Sequence, residues 1–201
     1  MASTESHFIA AGRPNSARSG CPPSILNPLN ACTQPSLMSK FRPIHVRAAT
    51  ADDAPAVSRV ILKSLRQSNS KDYSPEVIER VEASFSPSAL LKLFQQREVF
   101  VALHEQQIVG TASLDGKAVR TMFVTPDVQR QGIGRRLMET VEGAARRAGI
   151  DVLAVPSSVT AEQFYANLGY KVVRDSFHGE ERTIIMERHL TEPKPPRPDG
   201  E

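Results

Sequence analysis

The segment from Gln129 to Gly134 has the composition of an anion-binding turn. It carries glycine at positions 132 and 134 and comes directly before a stretch whose apolar residues recur at helical spacing. The first N–H groups of a helix have no intrahelical partner and carry a partial positive charge. Because glycines leave room in front of these groups, the segment predicts a phosphate-binding turn at a helix start.

The glycine spacing separates three types of phosphate-binding loop. The Walker loop needs G-x-x-x-x-G-K followed by Ser or Thr, and the sequence lacks this motif. The dinucleotide-binding fingerprint needs a third glycine where Leu137 stands. The pattern that fits is Gln or Arg, then x-x-G-x, then Gly or Ala, through Gln129, Gly132 and Gly134. A glycine-rich helix start without a ligand is the alternative interpretation.

A strand and a helix are predicted on either side of this turn. The strand, residues 118–124, stops before Pro126, because proline cannot donate a hydrogen bond to a sheet. Charged residues of the helix fall mostly on its solvent-facing sides, with Glu142 four residues before Arg146. Gly149 is expected to end the helix. The apolar face is predicted to consist of Ile133, Leu137, Val141, Ala144 and Ala148.

The rest of the chain reads as alternating strands and helices. Strands are predicted at residues 44–47, 99–103, 108–114, 152–155, 170–173 and 183–186. Helices are predicted after Thr50 or Asp52, after Ser74 and after Ser86, and between a Thr160 cap and Gly169. Because a helix joins 118–124 to 152–155, these two strands are expected to lie parallel.

Composition limits the classes of function. The chain has 201 residues, 40% of them hydrophobic, and a formal net charge of +3 spread over the sequence. Neither a nucleic-acid-binding patch nor a membrane-spanning segment is expected. Cys21 and Cys32 are the only cysteines, and both lie before the predicted domain. Thiolate metal sites and cysteine nucleophiles are therefore excluded from that domain, no metal is expected, and a cytoplasmic location is the default.

Three regions follow from the same composition. Residues 1–40 are rich in Ser, Pro and Ala and are predicted to be disordered, as is the Pro-rich tail at 191–201. Residues 41–190 form the predicted domain. An organelle transit peptide is disfavoured because residues 1–37 contain only Arg13 and Arg18 as basic residues. A start at Met38 is an open alternative.

The order of elements and two motifs carry a family resemblance. The first motif is the turn through Gln129, Gly132 and Gly134, and the second is the segment from Ala161 to Tyr170, which reads A-x-x-F-Y-x-x-x-G-Y. Over about residues 42–190 the chain resembles the GNAT superfamily of acetyl-coenzyme A-dependent N-acetyltransferases. This resemblance implies an α/β (α+β) GNAT fold, with a mixed sheet of six to seven strands, splayed between the fourth and fifth strands and flanked by helices.

The resemblance also implies a chemistry and a set of site residues. An acetyl group would move from acetyl-CoA to a primary amine of a small molecule or protein by direct attack. Tyr165 matches the position that often supplies the acid for the departing thiolate, and a phenol with a pKa near 10 can donate there. A tyrosine packed in the core is the alternative. Ser157 stands where many relatives carry a cofactor-contacting Asn. The main chain expected to pair with the pantetheine arm is that of Met122, Phe123 and Val124, and the residues expected at the phosphates are Gln129, Arg130, Gln131, Gly132, Ile133, Gly134 and Arg135.

The general base and the acceptor are not identified by the sequence. Candidate bases are Asp72, Glu98, Asp115, His178, Glu180 and Glu181, and Tyr73 is a candidate for lining the acceptor site. A non-catalytic acyl-CoA-binding module is the alternative to an enzyme, and Tyr165 favours the enzyme. A nicotinamide-binding protein is disfavoured by the missing third glycine. A homodimer is a further possibility, because dimers are common among proteins of this family.

Overall fold

The computed structural model describes residues 44–69, 82–178 and 181–190 of the chain. The two segments predicted to be disordered, 1–40 and 191–201, lie outside the described residues. So does the predicted helix that would begin after Ser74. Within the described ranges, none of the helices is both long and apolar enough to cross a membrane.

Seven strands of the described chain form one sheet. Its order is β1-β2-β3-β4-β5-β7-β6, and neighbours are antiparallel except for the parallel pair β4 and β5. The mixed sheet confirms the predicted fold class, including the parallel placement of β5. The strands are β1 (His45–Ala48), β2 (Glu98–His104), β3 (Gln107–Asp115), β4 (Ala118–Val124), β5 (Val152–Ser157), β6 (Lys171–His178) and β7 (Glu181–His189).

Four α-helices with both ends in the described residues connect these strands, and their ends follow local signals. They are α1 (Ala54–Ser64), α2 (Pro87–Gln96), α3 (Ile133–Arg147) and α4 (Glu162–Ala166). The Ser86 side chain accepts a hydrogen bond from the N–H of Ala89 and caps α2, as its sequence predicted. Gly149, after α3, has a φ of +72°, which is the left-handed conformation that ends many helices.

The sheet separates two apolar layers. On one face, α3 packs its apolar residues, among them Leu137 and Val141, against β2, β3 and β4, and the α4 segment completes this layer. On the other face, α1 and α2 pack against Val101 and Phe123. The predicted apolar face of α3 is confirmed at Ile133, Leu137, Val141 and Ala144, which are all buried.

The ends of four elements, α4, β5, β6 and β7, differ from their predictions. Thr160 does not cap α4, because it lies inside a 3-10 turn, Val159–Ala161, that precedes the helix. β6 and β7 are longer than predicted, because they pair with each other from Lys171 to His178. β5 continues through Pro156 to Ser157 by pairing with β7. Proline is tolerated there because β5 has no ladder to β4 at that position.

Candidate functional site

The parallel strands β4 and β5 pair at one position and separate beyond it, and the space between them is called the cleft below. Their ladder has one Cα pair, Ala118 with Ala154, and the N–H of Ala154 donates to the carbonyl of Lys117 at 2.9 Å. Beyond this point β5 pairs with β7 alone, and β4 pairs with β3 alone. The carboxyl-terminal half of β4 therefore has one side that lacks a strand partner.

The register of β4 determines which main-chain groups face this cleft. The N–H of Thr125 donates to the carbonyl of Val109 at 2.8 Å. Hydrogen-bonded and non-hydrogen-bonded pairs alternate along an antiparallel ladder, so Val124 opposite Gly110 points its main chain away from β3, and Phe123 opposite Thr111 points toward β3. Of the three residues expected at the pantetheine arm, Met122 and Val124 therefore direct their main-chain groups to the cleft, whereas those of Phe123 are directed to β3.

Val124 also organises the loop that follows it. Its carbonyl accepts hydrogen bonds from the Ser64 hydroxyl of α1 and from the Gln129 side-chain amide, each at 3.2 Å. Both lone pairs of this oxygen are thus occupied within the protein. The N–H of Gln129 in turn donates to the carbonyl of Pro126 at 3.3 Å. Gln129 therefore shapes the turn, and its N–H, which the family resemblance places at the phosphates, is hydrogen-bonded within the protein.

The start of α3 presents open space in front of its first N–H groups. Gly132 precedes the helix with φ of +80° and ψ of 2°, and a Cβ placed on it would meet no atom within 4 Å. The first hydrogen bond into this turn is that from the N–H of Arg136 to the carbonyl of Gly132, at 3.1 Å. The N–H groups of Ile133, Gly134 and Arg135 therefore precede the helical ladder, in the arrangement that binds phosphate in other proteins.

One side chain at this helix start is buried, and its charged and polar neighbours are exposed. Ile133 is buried under the turn and holds the helix start to the core. Arg130, Gln131 and Arg135 are exposed, and Arg130 adopts a left-handed φ of +64°. Arg130 and Arg135 thus add two positive charges to the segment that carries the open N–H groups.

Gly134 allows the second motif to approach the first. A Cβ at this position would lie 3.0 Å from Cζ of Phe164 and 3.3 Å from Cε of Met122. Those separations are shorter than normal van der Waals contacts, so a side chain at position 134 would displace the Phe164 ring. Phe164 is only partly buried, and its ring joins α4 to the start of α3. Its place in the A-x-x-F-Y motif was the available signal for this role.

Tyr165 lies at the centre of an aromatic cluster. Its ring makes edge contacts with Phe164, at 4.9 Å between ring centroids, and with Tyr170, at 5.9 Å. The side chain is completely buried, and among the described residues nothing makes a hydrogen bond to its hydroxyl. Burial first, and the neighbouring Tyr170 second, raise the pKa of Tyr165 well above its ordinary value. Tyr165 is therefore a neutral phenol whose hydrogen-bonding capacity is unused.

Tyr170 is held by a buried charged cluster that the sequence did not reveal. Glu142 of α3 accepts hydrogen bonds from Arg188 at 2.7 Å and from the Tyr170 hydroxyl at 3.2 Å, and Arg146 lies 3.5 Å from its other oxygen. The predicted pairing of Glu142 with Arg146 is present, but its solvent-facing position is wrong, because Glu142 is 4% exposed. Arg188 comes from the distant strand β7, so local spacing carried no signal for this contact.

Ser157 is the last residue of β5, where it pairs with Ile184 of β7. It is fully buried, and its hydroxyl donates to the carbonyl of Ser158 at 2.8 Å. Because a serine hydroxyl has one proton, this bond leaves the Ser157 oxygen as an acceptor only. A cofactor contact through Ser157 is thus limited to groups that donate.

The structure shows the side-chain surroundings of two of the candidate general bases, Asp115 and Glu98. The Asp115 carboxylate forms ion pairs with Arg97 at 3.2 Å and with Arg120 at 3.9 Å. Glu98 is exposed at the start of β2. His178 and Glu181 are described by their main chains only, as strand residues, and Asp72, Tyr73 and Glu180 lie outside the described residues.

Comparison with known proteins agrees with this arrangement. The profile of the acetyltransferase (GNAT) domain family matches residues 69–186. The uncharacterized N-acetyltransferase YafP of Escherichia coli K12 is 24% identical over 131 residues, which are 65% of this chain and 83% of YafP.

Solved structures share the fold at low sequence identity. A GCN5-related N-acetyltransferase of Rhodopseudomonas palustris superposes with a TM-score of 0.66 at 24% identity. The match covers 72% of this chain and 94% of the Rhodopseudomonas palustris chain. The PaiA N-acetyltransferase of Thermoplasma acidophilum, in complex with coenzyme A, gives 0.65 at 20% identity, covering 74% and 99%. YncA of Salmonella typhimurium, with acetyl-CoA, gives 0.54 at 19% identity, covering 78% and 99%. Since the family profile spans more than half of the sequence, the chain belongs to the GNAT family of acetyltransferases.

Proposed function

We propose that this protein transfers an acetyl group from acetyl-CoA to a primary amine of a small molecule or protein. The observation that carries the proposal is that the end of β4 pairs with β3 but not with β5. This strand leads into a helix start with open N–H groups after Gly132. A strand edge suits an extended amide-containing arm, and the helix start suits a pyrophosphate. The coenzyme A and acetyl-CoA complexes of PaiA and YncA support this choice of donor.

Donor binding divides between main chain and side chains. The main-chain groups of Met122 and the N–H of Val124 face the cleft. They would form hydrogen bonds with the amide groups of the pantetheine arm. The N–H groups of the turn from Arg130 to Arg135, which includes Gln131, Gly132, Ile133 and Gly134, would hold the pyrophosphate. Arg130 and Arg135 would add charge, while Gln129 keeps the turn in shape through the Val124 carbonyl. Ser157 would accept a hydrogen bond from the arm.

The reaction is acyl transfer by direct attack. The neutral amine nitrogen forms a bond to the acetyl carbonyl carbon, and the carbon–sulfur bond breaks. The nitrogen loses a proton to a base or to water, and the sulfur leaves with the electron pair of the broken bond. Negative charge develops on sulfur, so a hydrogen-bond donor beside it stabilises the transition state.

Tyr165 is the group we assign to the leaving sulfur. Its phenol stays protonated at neutral pH because burial raises the pKa. The pKa of a thiol is about 8.5 and that of a phenol about 10, so complete transfer of this proton to the thiolate is thermodynamically unfavourable. Tyr165 therefore acts chiefly by hydrogen-bond donation, and solvent supplies the final proton. The Tyr165 hydroxyl makes no hydrogen bond to any described residue, so its proton is available to the sulfur.

The proposal is tested by combining a binding and a turnover measurement. Calorimetric titration with acetyl-CoA should show one site per chain, and thiol release should be followed across a panel of amines, amino acids and peptides. Thiol release that depends on an amine and yields the acetylated amine supports the proposal. Tight binding without release by any amine would instead indicate a non-catalytic acyl-CoA sensor, and absence of binding would refute the assignment of the cleft.

A further inference from the structure

The strand β4 contains an irregularity next to the cleft. Between the pairs Thr111–Phe123 and Ser113–Arg120, β3 advances by two residues while β4 advances by three. The extra residue forms a β-bulge in which Thr121 has a φ of +51°. Threonine rarely adopts this left-handed conformation, because its branched side chain crowds the main chain. The surroundings must therefore hold Thr121 in place.

A buried serine on the neighbouring strand supplies this restraint. The Ser113 hydroxyl donates to the carbonyl of Arg120 at 3.0 Å, on the residue just before the bulge. The Ser113 and Thr121 hydroxyl oxygens are also 3.0 Å apart. Since the single proton of Ser113 is already used, Thr121 must be the donor in this second bond. Ser113 is 1% exposed, so water does not replace these contacts.

The bulge lies where its geometry affects the cleft. Thr121 is three residues beyond Ala118, the last residue of β4 that pairs with β5. Met122 follows directly, and its main chain is the first that faces the unpaired side. A change of φ at Thr121 rotates the peptide that joins it to Met122, and with it the N–H that points into the cleft.

We propose that Ser113 is a positioning residue, which sets the direction of the Met122 main chain by locking the bulge at Thr121. The inference rests on the proposed function, because it assigns this main chain to the acyl-donor end of the cleft. Ser113 acts through Thr121 and the carbonyl of Arg120 and does not touch the donor. Without its hydroxyl, the strand relaxes toward a regular conformation, and the donor arm meets misdirected amides.

The test uses a loss variant and a rescue variant. Ser113→Ala is expected to weaken acetyl-CoA binding by about tenfold, which is the order expected for one misplaced main-chain hydrogen bond. Adding Thr121→Gly should restore binding to within about threefold of wild type. Glycine adopts a positive φ without steric cost, so it keeps the bulge without the serine lock.

A matched control separates positioning from general stability. Ser58 of α1 is also buried, and its hydroxyl also donates to a main-chain carbonyl, that of Phe85, at 2.7 Å. This bond joins α1 to the segment before α2 and is not part of the bulge at Thr121. Ser58→Ala should lower the melting temperature as much as Ser113→Ala but leave acetyl-CoA affinity within about twofold, because no cleft amide depends on it.

Each outcome of the acetyl-CoA titrations either supports or overturns the positioning role of Ser113. Weakened binding in Ser113→Ala with recovery in the double variant supports the proposal. Unchanged binding in Ser113→Ala overturns it, and so does weakened binding that Thr121→Gly fails to restore, since a lost core contact is not repaired by glycine. Failure of the wild-type protein to bind acetyl-CoA would overturn the proposed function itself, and is therefore recognised before any variant is compared.

Discussion

Replacing Tyr165 with Phe should change activity and stability in opposite directions. The substitution removes one oxygen and leaves the ring contacts with Phe164 and Tyr170 in place. The hydroxyl is completely buried and makes no hydrogen bond to any described residue. A buried polar group without a partner costs about 1–3 kcal/mol, so its removal should stabilise the cofactor-free protein. Taking the lower end, about 1 kcal/mol, the melting temperature should rise by about 2–4 °C for a domain of this size.

The same substitution should slow acetyl transfer. General acid or hydrogen-bond assistance to a leaving group is typically worth about a hundredfold or more in rate. Because Tyr165 interacts with charge that exists chiefly in the transition state, the loss should appear in kcat, with acetyl-CoA affinity within about threefold. The assay is steady-state thiol release with saturating amine, or slow hydrolysis of acetyl-CoA where no amine is accepted. Calorimetric titration gives the affinity.

Tyr170 provides the matched control. Its hydroxyl donates to the buried Glu142 carboxylate at 3.2 Å, so Tyr170→Phe removes a satisfied hydrogen bond. That variant should lose about 1 kcal/mol of stability and keep its kcat. The reasoning is refuted if Tyr165→Phe retains wild-type kcat in an assay limited by chemistry. It is also refuted if both variants are destabilised alike, since that result would give the Tyr165 hydroxyl a partner in the free protein.

Three further substitutions test other parts of the site and the fold. Gly132→Leu places a side chain in the open space before the helix start and strains a φ of +80°, so acetyl-CoA affinity in calorimetry should fall more than about tenfold. Gly134→Ala brings a Cβ within 3.0 Å of the Phe164 ring, and thermal unfolding should show a loss of about 1–3 kcal/mol. In the wild-type protein, the hydrogen bond from Arg47 lowers the pKa of Asp53 from 3.8 to about 2. Asp53→Asn removes this carboxylate. A lowered carboxyl pKa stabilises the fold above the unfolded value and ceases to do so as pH falls through the folded value. The stability gap between wild type and Asp53→Asn should therefore be about 1–2 kcal/mol at pH 7 and narrow between pH 4 and pH 2, as measured by thermal melts across that range.

Each of these three tests has a result that would contradict its reasoning. A folded Gly132→Leu protein with wild-type affinity would remove the helix start from the binding site. A Gly134→Ala protein of unchanged stability would mean that Phe164 moves aside freely. A stability gap for Asp53→Asn that does not change between pH 7 and pH 2 would show that the ion pair with Arg47 does not cause it.

Local patterns were enough to predict the unit that carries the site. The strand Ala118–Val124 agrees with its prediction, because alternating and branched residues are read directly from the sequence and Pro126 follows. The helix Ile133–Arg147 begins after a glycine and is followed by another, Gly149, in a left-handed conformation. Propensity, periodicity and glycine conformations are properties of neighbouring residues, so the sequence by itself determined this strand, turn and helix.

Contacts between distant segments decided the rest, and local spacing holds no record of them. Glu142 is buried because Arg188, on a strand 46 residues further along, reaches its carboxylate. Gln129 matches the motif in sequence, yet its amide binds the Val124 carbonyl because the loop folds back on β4. The left-handed Thr121 contacts Ser113 across the sheet, and the Tyr165 hydroxyl, which has no hydrogen-bond partner among the described residues, is buried in a cluster built from several strands and helices. Such burial and pairing come from the three-dimensional packing of segments, which only the tertiary structure determines.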